Sequence, residues 1–315
     1  MGLFDLLFGS GDDGSGDSEA SGGPNGPVSA VDPDGRPVQV DRDTYRETVL
    51  PRQIEQSRDR PDRLHRVLQV ALREGFSEST LEAARHLERI DSDPIRGATT
   101  LAEALTKAGR PDEAERVLDE HREKHGESAR VSTQIARLHA AREDFEAARR
   151  SIREALELDP NLRAAVDFWA DLAVRDPGSK ATRLERYEKL AERSDTWYAR
   201  GRLAQLLLER GEPGRALERI EESLEIGADE PGALLLATGP LGSHGFLDEM
   251  IELAAPKFDP AVHDERVGIN LAQACAETGR RGRALELCDA LASSGNRRIR
   301  RQVRQIQKDL AADDE

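Results

Sequence analysis

The chain has 315 residues, with 61 acidic against 46 basic side chains and a formal net charge of −15. Only 4% of it is aromatic and 37% is apolar, a composition that argues against an all-β fold and for a well-hydrated helical array. The acidic balance argues against broad, salt-driven binding to nucleic acid or anionic lipid, although a local basic patch could still do either, and two cysteines, Cys275 and Cys288, supply neither a disulfide framework nor a zinc quartet.

Residues 1–9, MGLFDLLFG, place Leu3, Phe4, Leu6, Leu7 and Phe8 around two turns of a helix. Such a segment is too short to span a bilayer, which takes about 20 apolar residues. It suits reversible docking in a protein groove or peripheral contact with a membrane, and the alternative is a tail that does neither. Residues 10–36 are rich in Gly, Ser, Asp and Pro and read as a disordered linker, whose ends stand roughly 30 Å apart if it is flexible. Residues 37–60 open on an extended PVQV and continue as an N-terminal cap helix, in which Pro51 must start, kink or end a helix. No secretory signature and no transmembrane stretch is present, so the cytoplasm is the expected compartment.

From residue 61 the sequence repeats with a period of 34. LAEALTKAGRPDEAERVL (101–118), IARLHAAREDFEAARRSIREALELDP (135–160) and LAQLLLERGEPGRALERIEESL (203–224) each read as a helix, a tight turn and a second helix. Stepping the turn by the period gives Gly75, Gly109, Glu143, Pro177, Gly211, Gly245 and Gly279. Glycine there accepts the left-handed conformation that ends the first helix. The small Ala114, Ala148, Ala216 and Ala284 let the second helix pack closely.

The unit 129–162 carries Ile135, Ala136, His139, Ala148, Ile152, Ala155 and Pro160 in the places where the tetratricopeptide repeat has Leu, Gly, an aromatic, Ala, Phe, Ala and Pro. Over about residues 61–298 the chain resembles that family. Units 95–128, 197–230 and 265–298 follow the pattern, whereas 61–94, 163–196 and 231–264 are degenerate. The resemblance implies an all-α, right-handed α-solenoid of about seven helix-turn-helix repeats with a C-terminal capping helix over 299–315. It implies a non-enzymatic scaffold for a protein or peptide partner, without cofactor or metal.

In that family the first helix of each repeat lines a concave groove. Projecting the register onto that face selects Asp62, His65, Gln69, Arg96, Thr99, Glu103, Arg130, Thr133, Arg137, Asp167, Asp171, Tyr198, Arg202, Gln205, Arg266, Asn270 and Gln273. Arg96, Arg130, Arg137 and Arg202 offer planar forks for carboxylates, or else pair with Glu103 and Asp167. The Lys and Asn clamp of the chaperone-binding members is missing. An alternative function is a regulatory sensor that binds a small peptide or nucleic acid through the same arginines.

The C-terminal NRRIRRQVRQIQKDLAADDE spaces Ile299, Val303, Ile306 and Leu310 as one helical face, which suits a cap over the last repeat better than a free basic helix for RNA or membrane. No phosphate loop, dinucleotide fingerprint, HExxH or nucleophile elbow occurs, so no catalytic residue is assigned. His121 and His125 stand at i, i+4 in a charged stretch and are not read as metal ligands; the two cysteines are read as small core residues.

Overall fold

The computed structural model describes residues 26–31 and 37–312. The chain divides between Ser179 and Lys180 into two compact units.

The first unit opens with a two-stranded antiparallel ribbon, β1 (Val28–Val31) and β2 (Pro37–Val40), in which Val28 faces Val40. The end of the segment read as a linker is therefore structured. Its Gly/Pro-rich composition hides the reason: Val28 is buried with Tyr45, Leu50, Ala71 and Phe76 in a small apolar cluster of its own. A helical stretch follows, made of α1 (Arg42–Thr44), a π-turn (Tyr45–Val49) and α2 (Leu50–Ser57). Pro51 has no N–H to give, and its ring crowds the preceding turn, so the helix widens just before it.

Helical hairpins follow: α3 (Pro61–Arg73) with α4 (Ser77–Ile90), α5 (Pro94–Lys107) with α6 (Pro111–His125), and α7 (Ala129–Ala141) with α8 (Phe145–Leu158). Proline begins α3, α5 and α6, where a missing N–H is harmless. Asp93 caps α5 by accepting from the Ile95 and Arg96 amides. Leu64, Leu68, Leu87, Leu105, Leu118 and Leu138 form the core between the layers. The unit ends with α9 (Arg163–Arg175).

The second unit contains α10 (Arg183–Ala191), the hairpins α11 (Trp197–Glu209) with α12 (Pro213–Ile226), α13 (Ala233–Ser243) with α14 (Leu247–Ala254), and α15 (Glu265–Glu277) with α16 (Arg281–Leu291), and the terminal α17 (Arg297–Ala312). Helix α17 packs on both α15 and α16. Its Ile299, Val303, Ile306 and Leu310 are all buried, so it caps the array.

Six hairpins turn in the same way. Gly75, Gly109, Glu143, Gly211, Gly245 and Gly279 all have φ between 61° and 83°. After each, the next amide reaches back to the last helical turn, as in Arg110 N–H to Leu105 O at 2.9 Å and Asp144 N–H to His139 O at 2.9 Å. This is the bond pattern that satisfies the open carbonyls of a helix end. Glu143 is the one non-glycine residue among those described that takes this conformation. At the seventh place Pro177 cannot adopt a positive φ, and the chain turns about Asp176 instead. The Asp176 carboxylate accepts from the Gly178 amide at 2.9 Å and from Arg149 of α8. The division between the units lies just beyond it.

Ala114, Ala148, Ala216 and Ala284 are completely buried. Four residues on stand Leu118, Ile152, Ile220 and Cys288, all buried, so the cysteine fills the place of a large apolar side chain. Burial pushes the Cys288 thiol up to about 11 and raises that of Cys275 as well. Both remain neutral thiols at ordinary pH.

Candidate functional site

The polar residues projected onto the first-helix face come from α3, α5, α7 and α9 in the first unit. Residues 34 or 35 apart, one period or one residue more, touch there. Arg96 donates to Asp62 at 2.7 Å, His65 Nδ1 and Thr100 Oγ1 share a hydrogen bond of 3.0 Å, and Gln69 donates to Glu103 at 3.4 Å. Lys107 reaches the Leu72 carbonyl at 3.1 Å and pairs with Glu103 at 3.0 Å. The repeat period thus appears as a ladder of polar rungs between adjacent hairpins.

Arg96 is the most heavily committed of the four arginines. Besides Asp62 it grips both oxygens of Asp91, each at 2.7 Å. Burial works to raise the Asp91 carboxyl pKa, but the Arg96 fork, the Asp93 amide and the guanidinium charge together hold it below the usual range. Asp91 lies between helices, so a projection of helical faces does not find it. Arg96 is held as a cation first by the Asp91 hydrogen bonds. The His65 imidazole is lowered by burial and then by the neighbouring Arg96 charge.

Helix α7 differs. Arg130 is 59% exposed and has one long contact, to Asp93 at 3.5 Å. Arg137, two turns further along, is half-buried, with its guanidinium carbon 5.7 Å from the centre of the Phe168 ring of α9. Arg175 stands 5.8 Å from the same ring. Neither end of this α7 pair is locked into a bidentate carboxylate bridge like that of Arg96. Asp167 and Asp171 are half-buried on α9. The Thr99 and Thr133 hydroxyls donate to carbonyls one turn back, Ile95 at 2.7 Å and Ala129 at 2.6 Å. Thr133 is only 3% exposed and does not stand open on the face.

In the second unit the projected residues are placed differently. Tyr198 is 3% exposed, which corrects its assignment to an open surface. Its ring meets Trp197 edge-on at 5.6 Å, in a layer that also holds Trp197 and Leu203 out of solvent. Arg202 donates to Gln205 at 2.6 Å and lies 5.9 Å from the Tyr187 ring, while Gln205 donates to Glu209 at 3.2 Å. Arg266 is folded onto Asp264 at 2.8 Å. Asn270 and Gln273 are buried, Asn270 donating to Thr238 of α13 at 3.2 Å, because α17 and α13 both pack on α15.

Leu3, Phe4, Leu6, Leu7 and Phe8 lie outside the described residues. His121 is buried, and its ring centre lies 4.7 Å from that of the exposed His125 with the planes tilted. The sequence also does not reveal an open cleft at the N-terminal end, lined by Asp41, Arg42, Asp43, Arg46, Phe76 and Glu78. There Arg42 donates to the Glu74 carbonyl and lies 4.5 Å over the Phe76 ring. Among the described residues no helix is long and apolar enough to cross a membrane.

The solved structures that resemble this chain include the type IV pilus biogenesis factor PilW, 13% identical, covering 67% of this chain and 98% of that one, with a TM-score of 0.37. Yeast Tom70 is 13% identical over 84% of this chain and 58% of its own, with a TM-score of 0.43. PilF of Pseudomonas aeruginosa is 15% identical over 68% and 97%, with a TM-score of 0.32. No curated protein matches the chain. The family model described as a tetratricopeptide repeat matches residues 95–120, 197–222 and 266–290. Those three segments coincide with α5–α6, α11–α12 and α15–α16, each a helix-turn-helix unit of the 34-residue period, and the chain accordingly carries tetratricopeptide repeats in a helical-repeat fold.

Proposed function

We propose that the chain is a non-enzymatic scaffold that binds a protein or peptide partner through the first-helix face of its repeats, with Arg130 and Arg137 of α7 meeting carboxylates of that partner. The observation that carries this reading is the contrast within one face. Arg96 is saturated by Asp91 and Asp62, while Arg130 keeps most of its surface in solvent and Arg137 presents a guanidinium braced by an aromatic ring. A braced guanidinium loses little freedom on forming a bidentate bond. The apolar segment Leu3, Phe4, Leu6, Leu7 and Phe8 supplies a second contact in this scheme, and its covalent link to the folded chain through residues 10–27 raises the effective concentration of one contact once the other is made.

The test is selection of peptides from a random display library on the purified full chain, followed by calorimetry. Enrichment of Asp- and Glu-containing peptides is expected, with affinity reduced about tenfold or more in the Arg130→Ala, Arg137→Ala variant. Failure to enrich any peptide, or equal affinity in the variant, would remove this face as the binding site.

A further inference from the structure

The terminal helix α17 has two faces of opposite character, and among the described residues only one is packed. Ile299, Val303, Ile306 and Leu310 are buried against the last hairpin. At about 100° per residue, Arg297, Arg301, Arg304 and Lys308 fall within about 60° of one another on the opposite side. All four are exposed, with Arg298 exposed beside them. The stripe runs straight for about 16 Å at 1.5 Å per residue. None of these five cations has an ion-pair partner among the described residues, on a chain that carries a net charge of −15. Arg96, Arg142, Arg215 and Arg280, in contrast, each hold a carboxylate at 2.9 Å or less.

We propose that this stripe is a docking surface for an anionic phospholipid membrane. Because the apolar side of α17 is occupied as a cap, the helix cannot insert its hydrophobic face into a bilayer. It offers charge alone, laid out as a line that can lie flat on a layer of anionic headgroups. Charge of this kind gives reversible attachment, and stable attachment takes a second signal. The sequence contains one in the apolar segment around Leu3, Phe4, Leu6, Leu7 and Phe8. Nucleic acid is the less favoured occupant, since the exposed face of α17 carries Arg, Gln, Lys, Asp and Ala and no aromatic side chain on which a base would stack. The stripe shares no residue with the peptide-binding face on α7, and the two readings have only the apolar segment at residues 3–8 in common.

The test is sedimentation of the full chain with vesicles of phosphatidylcholine containing phosphatidylserine, beside vesicles of phosphatidylcholine alone. Binding to the anionic vesicles is expected to exceed binding to the neutral ones and to fall as salt is raised. Near an anionic surface each basic residue contributes about a fivefold gain in partitioning, so Arg297→Gln, Arg301→Gln, Arg304→Gln and Lys308→Gln together should lower it at least about a hundredfold. Replacing the three arginines by lysine should preserve it. Arg301→Glu alone, a single exposed change at the centre of the stripe, should lower it about tenfold and provides the reading if the fourfold variant does not fold. The proposal is overturned if the chain ignores anionic vesicles, if Arg301→Glu and the fourfold variant bind as the parent does, or if binding is equal on both vesicles and vanishes only when Leu3, Phe4 and Leu7 are changed to serine. A salt-sensitive complex of the stripe with duplex RNA and none with vesicles would reassign it to nucleic acid.

Discussion

The first-helix faces of the two units start from the same sequence register and end in different states. In the first unit the polar residues of α3 and α5 bond to each other across the repeat, while Arg130 of α7 stays 59% exposed with one long contact. In the second unit the equivalent residues are buried, as Tyr198, Asn270 and Gln273 are, or folded onto neighbours, as Arg202 is onto Gln205. Polarity on a helical face therefore does not make a surface. What else packs on the helix decides whether the polar group meets a partner, a neighbour or the core.

The comparison can be broken most forcefully in the core. Ile152→Ala removes a fully buried side chain from the best-formed hairpin and should destabilise the chain by about 2–5 kcal/mol, read from its denaturant midpoint. A cost much below that would mean that the hairpin relaxes freely, contrary to the close packing at Ala148. The next test sets one close approach against another. A Cβ on Gly97 would lie 2.8 Å from the Glu88 Cα, which belongs to backbone, whereas one on Gly201 would meet the movable side chain of Leu236. Gly97→Ala should cost about 2 kcal/mol and Gly201→Ala about half as much, the difference being the resistance of backbone to displacement.

For binding, Arg202→Ala should leave the affinity for a selected acidic peptide within about twofold of the parent, against the roughly tenfold loss expected for the α7 pair. Equal losses would erase the distinction between the two faces. A smaller effect is a gain: Glu143→Gly relieves a left-handed non-glycine residue and should raise stability by about 1 kcal/mol, with a higher midpoint of thermal unfolding.

The smallest effect is a pH dependence located in the first unit. Burial lowers the imidazole pKa of both His65 and His121, so the unfolded chain binds more protons than the folded one near pH 6. Their stabilising contribution is complete above the unfolded pKa of about 6.5 and is lost as the pH falls from there through the lowered folded-state pKa. Urea midpoints measured across this range should decline with acid, and His65→Gln should flatten part of the slope.

Much of the architecture is legible in the residues because its determinants are local. The 34-residue period, the left-handed turn at five glycines and one glutamate, and the packing alanines each act within one hairpin. Pro177, where the pattern fails, is where the turn changes and the units part. The apolar spacing of the last helix also suffices to identify a cap. The candidate site was less legible. Its membership was read by projecting a register, and a projection cannot see Asp91 between helices or the Phe168 ring under Arg137. Nor can composition show that Val28, at the end of a Gly-rich segment, finds an apolar cluster to enter.

The sequence by itself determined where helices start, turn and pair, since backbone hydrogen bonds, proline and left-handed glycine operate over a few residues. Only the tertiary structure decided which charges remain available. The exposure of Arg130, the burial of Gln273 and the exposed basic stripe on α17 depend on how the helices pack, and burial is a property of the neighbours a side chain acquires when the chain folds.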